Sequence, residues 1–589
     1  MSLRFCLKPG LPQPSQHQCQ SPLPVSNTKL STRNLSLHCS TIQKLEGVVA
    51  AKAPKSHHVA KSDWKVQNQA LVDLLRDSSA KGSIREGHLV HGYLLKSNLD
   101  DEESLFLFNN VVSAYCNCSK FEHARRLFDE MPERDVVSWT VMIVGSTRNG
   151  CFLDGFEFFC NMLIAGILPD EFAYSAIAQA CVGLDCIELG EGVHGQIVKR
   201  GFSSNVIVGT SLVNMYAKLG NNKASVCAFN AIGEHNQVSW SAMISGLTAN
   251  SLYLEAFNYF LGMKAQGVLP NMYALSSVLK AVGKLRDVGK GREVHHYIDE
   301  LGMESNVVLG TSLINMYSKC GYLSEARAVF DMNFSKSRVS NPWNAMISGY
   351  LQVGFWSEAL EIFTEMRLND VQPDFYTYSS VFSAVAALKQ IQFGRQVHGM
   401  VVKSGSDSRY RCVSNAIVDA YSKCHSLGEA RRVFDKMVER DVVSWSTLVT
   451  AYAQSDRVEE ALNIFSQMRD EGFAPNQYTF SSVIVGCARL CLLDYGRQLH
   501  GLLCKVGLDT DNCIESSLIV FYAKSDNIIN AIKVFERIVC PDVVSWTAII
   551  SGCAQHGFSD KAVELFKRME KSGTKPNAST LLMHPVCFK

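Results

Sequence analysis

The side chains that could do chemistry in this chain recur at a nearly fixed spacing. One histidine returns about every 100 residues, at His91, His194, His295, His398 and His500. None of them has a second ligand at metal-binding spacing, so these histidines indicate a structural role between repeated elements. The 20 cysteines are scattered without any Cys-x-x-Cys. They indicate small buried thiols in a reducing compartment, and neither a zinc site nor disulfides are expected.

A glycine-rich stretch from Gly283 to Gly291 imitates a phosphate-binding loop. The gap between its glycines is five residues, and Gly291 stands where magnesium binding requires Ser or Thr. The stretch also falls at the break between two helical patterns, so a nucleotide site is not predicted there. No cofactor or metal is expected from the sequence.

A more regular polar set follows a recurring tryptophan. Trp139, Trp240, Trp343, Trp445 and Trp546 are separated by 101, 103, 102 and 101 residues. The residue after each tryptophan is Ser, Thr or Asn, namely Thr140, Ser241, Asn344, Ser446 and Thr547. A fixed period of this kind is the signature of a stacked repeat array, and the tryptophan provides its register.

Finer anchors divide each block of about 101 residues into three units. Phenylalanine recurs at Phe128, Phe159, Phe229, Phe260, Phe330, Phe363, Phe434, Phe465, Phe535 and Phe566. The resulting units are about 35, 35 and 31 residues long, and we call them the tryptophan unit, the histidine unit and the short unit. The tryptophan units cover residues 136–170, 237–271, 340–374, 442–476 and 543–577. About fifteen units fit between residues 68 and 577.

Each unit is expected to form two short helices. In unit 442–476, apolar residues at helical spacing include Trp445 and Tyr452, and a polar break follows at 454–457. A second apolar run contains Phe465, and Glu471-Gly472 ends it. Helices of roughly a dozen residues are unstable alone, so each unit must bury its remaining apolar face against the next. The prediction is an all-α solenoid whose tryptophan, phenylalanine and methionine stripes form the core.

Composition limits the mode of binding and suggests a targeting segment. Lysine and arginine total 57 against 56 acidic residues, so a large basic field would not drive nucleic-acid binding. No run of eighteen apolar residues occurs, and no membrane span is predicted. Residues 1–45 contain no acid, seven serines and five basic residues, which is typical of an organellar transit peptide. The alternative is a merely disordered tail. Residues 46–67 are interpreted as a linker.

The alternation of 35-, 35- and 31-residue helical pairs resembles the PLS class of plant pentatricopeptide repeat proteins. The tryptophan unit resembles the P motif, the histidine unit the L motif, and the short unit, with phrases such as Phe128-Asp129-Glu130-Met131-Pro132, the S motif. Tetratricopeptide repeats run at 34 residues and do not alternate in length. The resemblance covers residues 68–577. It implies a right-handed α-solenoid that binds single-stranded RNA, with one base per repeat addressed by two side chains.

In that family the two side chains are the fifth and the last of each unit. In the tryptophan units these are Thr140 with Asp170, Ser241 with Asn271, Asn344 with Asp374, Ser446 with Asn476, and Thr547 with Asn577. In the short units they are Asn109 with Asp135, Thr210 with Asn236, Asn415 with Asp441, and Ser516 with Asp542. The remaining short unit has Thr311 at the fifth position, but two extra residues place Val339 last and leave its base preference open.

The residues themselves support this transfer at the fifth position. Asp or Asn before a helix is what any helix favours as its N-cap, so the last position has a purely structural explanation. The fifth position lies inside the first helix, where Ser, Thr and Asn are mediocre helix formers. All ten fifth positions of the tryptophan and short units are nevertheless one of these three. A short polar side chain there is better explained by reading a polar ligand.

The family pattern associates Thr or Ser plus Asn with adenine, Thr or Ser plus Asp with guanine, and Asn plus Asp with uracil. With the histidine units left open, the hypothesised ligand is 5′-UGnAAnnUnUAnGA-3′, in which base 1 belongs to the Asn109 unit. A protein-binding scaffold is the rival function, but it would favour charged or apolar fifth positions.

The resemblance implies a binding protein and not an enzyme. Members of the class often continue into a zinc deaminase domain, which needs His-x-Glu and Cys-x-x-Cys, and neither motif occurs in this sequence. A specificity factor for C-to-U RNA editing, acting with a deaminase in trans, is therefore expected. RNA stabilisation, splicing or processing is the close alternative. Residues 578–589 are interpreted as a truncated next repeat. Mitochondrion is slightly favoured over chloroplast.

Overall fold

Helices make up all the regular structure in the described part of the chain. The computed structural model describes residues 71–77, 82, 85–94, 101–455, 457–508, 511–577 and 580. The prediction of an all-α solenoid of helical pairs is confirmed for these residues. The predicted transit peptide and linker lie outside them, as does the truncated repeat apart from Thr580. Packing divides the chain after Arg134 into two compact units.

The compact unit that ends at Arg134 contains helical residues 71–77 and the helices Arg85–Leu94, Asp101–Asn117 and Phe121–Glu130. Its core includes Leu107, Tyr115 and Phe128, each at most 2% exposed. His91 Nδ1 lies 3.2 Å from the hydroxyl of Tyr115, which ties a histidine unit to the short unit that follows it.

Consecutive helical pairs build the compact unit that begins at Asp135. The tryptophan units contain Val136–Arg148 with Phe152–Ile164, Gln237–Ala249 with Tyr253–Ala265, Ser340–Val353 with Trp356–Leu368, Val442–Gln454 with Val458–Asp470, and Val543–Gln555 with Ser559–Lys571. The histidine units contain Glu171–Gly183 with Ile187–Lys199, Met272–Leu285 with Val288–Glu300, Phe375–Leu388 with Ile391–Ser404, and Gln477–Arg489 with Leu493–Val506. The short units contain Val206–Lys218 with Asn222–Asn230, Val307–Cys320 with Leu323–Asn333, Arg411–Lys423 with Leu427–Lys436, and Asn512–Lys524 with Ile528–Arg537. A single turn, Ser406–Arg409, precedes Arg411.

The helix bounds follow from local chemistry, as in unit 442–476. The Asp441 carboxylate accepts the backbone N–H of Ser444, and it caps a first helix that ends at Gln454. The second helix ends at Asp470, and Gly472 then adopts a φ of +85°, a left-handed conformation that a side chain would strain. Both boundaries lie within a residue or two of those that the sequence predicts.

The recurring tryptophans are core residues at the joint between units. Trp445 is 1% exposed and meets the ring of Phe434 from the preceding short unit edge-on, with centroids 4.7 Å apart. The same geometry joins Trp343 to Phe330 and Trp546 to Phe535. Truncating such a buried aromatic to alanine typically costs about 3–5 kcal/mol. The tryptophan therefore stabilises the stacking of units.

The recurring histidines also lie at joints. In each histidine unit of this compact unit the second-helix histidine Nδ1 lies 2.8–2.9 Å from a tyrosine hydroxyl of the next short unit. The pairs are His194 with Tyr216, His295 with Tyr317, His398 with Tyr421, and His500 with Tyr522. Burial raises the pKa of Tyr216 to about 12 and lowers the pKa of His194, so the pair is neutral near pH 7. These contacts agree with the structural role that the sequence indicates.

Candidate nucleic-acid interface

The last residue of most predicted units caps the first helix of the next unit. The capping side chains are Asp135, Asp170, Asn236, Asn271, Asp374, Asp441, Asn476 and Asp542. Asn577 Oδ1 accepts the backbone N–H of Thr580 at 2.8 Å in the same way. Val339 provides no side-chain cap, which is the departure expected from its sequence. Each cap uses the Oδ1 atom, so the second terminal atom of the Asp or Asn remains for other partners.

Two tryptophan units join the fifth and last side chains directly. The Thr140 hydroxyl donates to Asp170 Oδ1 at 3.1 Å, and that oxygen also accepts the N–H of Ala173 at 2.7 Å. The Ser241 hydroxyl lies 2.9 Å from Asn271 Oδ1 and 2.6 Å from Gln237 O of its own helix, and its one proton is shared between these two acceptors. Thr140 and Ser241 are 8% and 7% exposed. The structure therefore brings together side chains that stand 30 residues apart in the sequence.

The Asn344 unit has a denser network. The Asn344 amide donates to Asp374 Oδ2 at 2.9 Å, and its Oδ1 accepts the hydroxyl of Thr377 at 2.6 Å. Ser340 also donates to Asp374 Oδ2 at 2.9 Å. Both oxygens of this carboxylate are thus occupied within the protein, since Asp374 Oδ1 accepts the backbone N–H of Thr377.

The Ser446 unit joins its fifth and last residues through a third side chain. The hydroxyls of Ser446 and Thr479 lie 2.6 Å apart, and Thr479 donates to Asn476 Oδ1 at 2.8 Å. Thr479 is the third residue of the following histidine unit. The same relay connects Thr547 through Thr580 to Asn577 and Ser516 through Ser545 to Asp542, with distances of 2.7–2.8 Å.

The other short units differ among themselves. Burial alone would raise the pKa of Asp441, but hydrogen bonds from Ser444 and Asn415 and the charge of Arg411 hold it below its ordinary value. Asn415 and Asp441 are therefore partners. Thr210 and Thr311 each donate instead to a carbonyl of their own helix at 2.6 Å.

Two further predicted site residues fall in different compact units. Asn109 lies in the helix Asp101–Asn117 and is 7% exposed. Asp135 caps the helix that begins at Val136.

Three of the histidine units use their fifth residue differently, whereas the fifth residue of a fourth, Ser379, donates to Phe375 O of its own helix. Ser175, Ser276 and Ser481 lie 2.6–2.9 Å from the hydroxyls of Ser211, Ser312 and Ser517, which are sixth residues of the next short units. The last residues Asn205, Asn306 and Asp511 cap two backbone N–H groups each. The fifth and last residues of these units are therefore separated from each other, unlike the pairs of the tryptophan units.

First helices line the groove on which these residues lie. A groove of about 790 Å³ contains Ser446 and Asn476 together with Tyr478, Lys389 and Lys423. The first helices and their flanking turns supply all the lining residues.

The sequence prediction missed that the second position of the units carries exposed apolar residues. The residues of the tryptophan and short units are Phe106, Val137, Ile207, Val238, Val308, Val443 and Val544, and those of the histidine units are Phe172, Tyr273, Tyr376 and Tyr478. Each is at least 40% exposed. The signal was available, because residues two apart on a helix point about 200° apart and cannot both face the core. Cys412 and Cys513 occupy the same position and are exposed thiols.

Lysines cluster beside the fifth residue of one histidine unit. A cavity of about 190 Å³ is lined by Ser276, Lys280 and Lys319 among others. Burial lowers the pKa of Lys319, and the charges of Lys284 and Lys280 lower it further. Clustered ammonium groups of this kind favour a phosphate or another anion, which would relieve their repulsion.

The glycine-rich stretch is not arranged as a phosphate-binding loop. Gly283 lies inside the helix Met272–Leu285, and Lys290 forms an ion pair with Asp287. Gly291 is packed against Met316 in the core. In the described residues there is no group of three or more metal-ligating side chains and no helix long and apolar enough to cross a membrane.

Comparison with known proteins gives a consistent family assignment. A model of the PPR repeat family matches residues 342–387, 440–489 and 541–582, and a PPR repeat model matches 106–136, 137–167, 238–268, 311–332 and 412–442. A pentatricopeptide repeat-containing protein of Arabidopsis thaliana is 34% identical over 517 residues, which are 86% of this chain and 68% of the relative. Another, named mitochondrial, is 31% identical over 523 residues, 88% of this chain and 67% of the relative. The chain spans only 59% of a third Arabidopsis relative.

Solved structures share the fold. The pentatricopeptide repeat protein PPR10 from maize superposes with a TM-score of 0.60 at 18% identity, over 88% of this chain and 81% of that one. PPR10 in complex with an 18-nt psaJ RNA element superposes with a TM-score of 0.56 at 17% identity, over 94% and 92% of the two chains.

Proposed function

Because this chain belongs to the pentatricopeptide repeat family, we propose that it binds single-stranded RNA in an organelle, with one base per unit. The observation that carries the proposal is the hydrogen-bonded pairing of fifth and last residues, as between Ser241 and Asn271. Each pair presents a fixed set of donors and acceptors, which is what reading the edge of a base requires. The fold shared with RNA-bound PPR10 supports it.

The pairing accounts for adenine in the units that combine Ser or Thr with Asn. Asn271 Oδ1 accepts both the N–H of Ala274 and the hydroxyl of Ser241, so the Asn271 amide N–H₂ is the group left to donate. The Ser241 hydroxyl already donates its proton within the protein and keeps an acceptor lone pair. One donor beside one acceptor complements adenine, whose N1 accepts and whose N6 amino group donates.

The same assignment of donors and acceptors predicts guanine in the units where Asp replaces Asn. Asp170 Oδ1 accepts Ala173 N–H and the Thr140 hydroxyl, and Oδ2 remains an acceptor. Two acceptors, Asp170 Oδ2 and the Thr140 oxygen, complement the N1–H and the N2 amino group of guanine.

Uracil suits the pairs of Asn with Asp. Asn344 donates one amide hydrogen to Asp374 and keeps the second for a carbonyl of the base, while the carboxylate would accept the base N3–H. In this unit Ser340 already donates to Asp374 Oδ2, so it must rotate away before uracil is read.

Stacking and phosphate contacts complete the proposed interface. An exposed side chain such as Val443 or Tyr478 at the second position of a unit offers an apolar surface against which a base can lie, and base–aromatic stacking is worth about 1–3 kcal/mol. Lys280, Lys284 and Lys319 would neutralise phosphates of the same strand.

Binding to synthetic RNA tests the proposal. We expect 5′-UGnAAnnUnUAnGA-3′ to bind at least tenfold more tightly than a scrambled sequence of the same composition in a filter-binding assay, since each mismatched base typically costs about 1–3 kcal/mol in specific complexes. Equal affinity for the two RNAs would overturn the base assignments. An absence of RNA after crosslinking in isolated organelles would favour the protein-scaffold alternative.

We further propose which step of RNA metabolism this binding serves in the organelle. The alternating unit lengths support a specificity factor for C-to-U editing that recruits a deaminase in trans. Loss of the gene is then expected to abolish C-to-U conversion at particular transcript positions. Altered splicing, processing or abundance with intact conversion would support the alternative. A mitochondrial location is supported by the name of one relative, and a fluorescent fusion of residues 1–70 separates it from a chloroplast location.

A further inference from the structure

We propose that the third residue of the following unit is a positioning residue for base reading, a role that rests on the proposed function. In the Ser446 unit this residue is Thr479, whose hydroxyl lies between Ser446 at 2.6 Å and Asn476 Oδ1 at 2.8 Å. The side chain of Thr479 is completely buried, so it orients the two readers and does not itself meet a base.

A natural pair of units isolates the role. The Ser241 and Ser446 units have the same fifth and last residues, Ser and Asn. The third residue of the following unit is Ala274 in one and Thr479 in the other. Where alanine leaves room, Ser241 reaches Asn271 directly at 2.9 Å. Where threonine occupies the space, the hydroxyl relays the bond. The third residue therefore determines how the reading pair is assembled.

The placement of the hydroxyl protons determines which groups of Ser446 and Asn476 remain available to a base. Thr479 has one hydroxyl proton, and when it donates to Asn476 Oδ1 it accepts from Ser446, whose single proton is then shared between Thr479 and Val442 O, each at 2.6 Å. Ser446 then keeps lone pairs for the adenine amino group, and Asn476 has two donors on Oδ1, which turn its N–H₂ toward the base. Without that hydroxyl, Ser446 has only Val442 O of its own helix as a partner, at 2.6 Å. Asn476 then keeps only its backbone cap.

The relay is not confined to one unit. Thr580 joins Thr547 to Asn577, and Ser545 joins Ser516 to Asp542. Thr377 also donates to Asn344, although Asn344 reaches Asp374 directly. A hydroxyl therefore stands at the third position wherever the fifth and last residues are linked through an intermediate.

The isosteric variant Thr479→Val tests the inference, because it keeps the buried volume and removes only the hydroxyl. We use the full chain and two pairs of 14-nt RNAs, with A or G at base 11, read by Ser446, or at base 5, read by Ser241. Thr479→Val is expected to reduce the A-over-G preference at base 11 by about five- to tenfold, the loss of about one hydrogen bond. Preference at base 5 should stay at its wild-type value.

Two control variants separate positioning from folding. Thr479→Ser retains a hydroxyl and should restore the preference at base 11. Thr364→Val removes a hydroxyl on the second helix Trp356–Leu368, outside the groove, that donates to Leu360 O of its own helix at 2.9 Å, and it should leave both preferences unchanged.

The outcomes distinguish this inference from the proposed function. A wild-type protein without preference at either base refutes the proposed function. A wild-type preference at both bases that survives in Thr479→Val refutes the relay. Equal loss at bases 5 and 11 would mean a general structural effect and would also refute it.

Discussion

Exchanging a single atom in the last residue of one unit should invert the base that the unit prefers. In wild type, Asn271 Oδ1 holds the helix cap through Ala274 N–H at 2.9 Å and accepts Ser241 at the same distance. Asn271→Asp keeps Oδ1 and both bonds. It converts only the outward-facing donor, the amide N–H₂, into an acceptor oxygen. The helix should remain capped, because Asp and Asn are equally good N-cap residues and a negative charge there suits the helix dipole.

The size of the effect follows from the same atoms. Adenine at base 5 loses the bond from the amide to its N1 and meets a carboxylate instead, whereas guanine gains an acceptor for its N1–H. Each change is worth about 1–1.5 kcal/mol, and the two act in opposite directions on the two bases. The ratio of affinities for A and G should therefore swing by about 2–3 kcal/mol, which is roughly 30- to 150-fold.

Fluorescence anisotropy with two 14-nt RNAs that differ only at base 5 measures this ratio at one fixed salt concentration. Asn205→Asp is a matched control, since Asn205 caps a helix in the same way but its unit's fifth residue, Ser175, bonds to Ser211. The control should change neither ratio nor melting temperature. The reasoning is refuted if Asn271→Asp weakens both RNAs equally, or if it keeps the preference for A.

Three further expectations can be checked on the same protein. Thr140→Asn replaces an acceptor with an amide and should shift the preference at base 2 from G toward U by about 1–3 kcal/mol, measured by competition binding; an unchanged preference for G contradicts it. RNA should slow alkylation of Cys412 and Cys513, which lie exposed at second positions, but not that of Cys227 on a second helix, in quantitative mass spectrometry; equal protection of all three contradicts the placement. Burial lowers the pKa of His194, so its contribution to stability is present above pH 6.5 and is lost as pH falls from there through the folded-state pKa. The loss of melting temperature between pH 7 and 5 should therefore be smaller in His194→Gln, and an identical loss contradicts it.

The sequence predicted the repeating framework because that framework depends on local chemistry. The period of Trp139 to Trp546 set the register, and an Asp or Asn before most first helices marked where those helices begin. Both signals act within a few residues, through capping and through apolar spacing. The predicted break at 454–457 accordingly falls between the observed helices Val442–Gln454 and Val458–Asp470. Val339 was also recognisable as a missing cap from its identity alone.

The side-chain hydrogen bonds between units could not be predicted from the sequence, because they depend on how neighbouring first helices pack. Ser446 and Thr479 stand 33 residues apart. Nothing in the local pattern says that their hydroxyls meet, whereas Thr210 bonds only to its own helix. The fifth serines of the histidine units resemble those of the tryptophan units in sequence. Only the structure separates them, since Ser175 bonds to Ser211 and leaves the last residue Asn205 to its cap.

The proposed use of one atom for capping and of its neighbour for base reading has a consequence for specificity. A side chain that caps a helix has already lost its rotational freedom on folding, so little further entropy is lost when a base binds. Oδ1 of Asn271 is held by Ala274 N–H, and its remaining group is aimed before RNA arrives. Alanine at such a position would remove the cap, at about 1 kcal/mol of stability, together with the reader. Alanine scanning thus confounds the two roles, whereas exchange between Asn and Asp changes the reader alone. Val339 provides neither a cap nor a polar group for Thr311, which donates to Val307 O of its own helix, so base 7 is expected to tolerate any nucleotide.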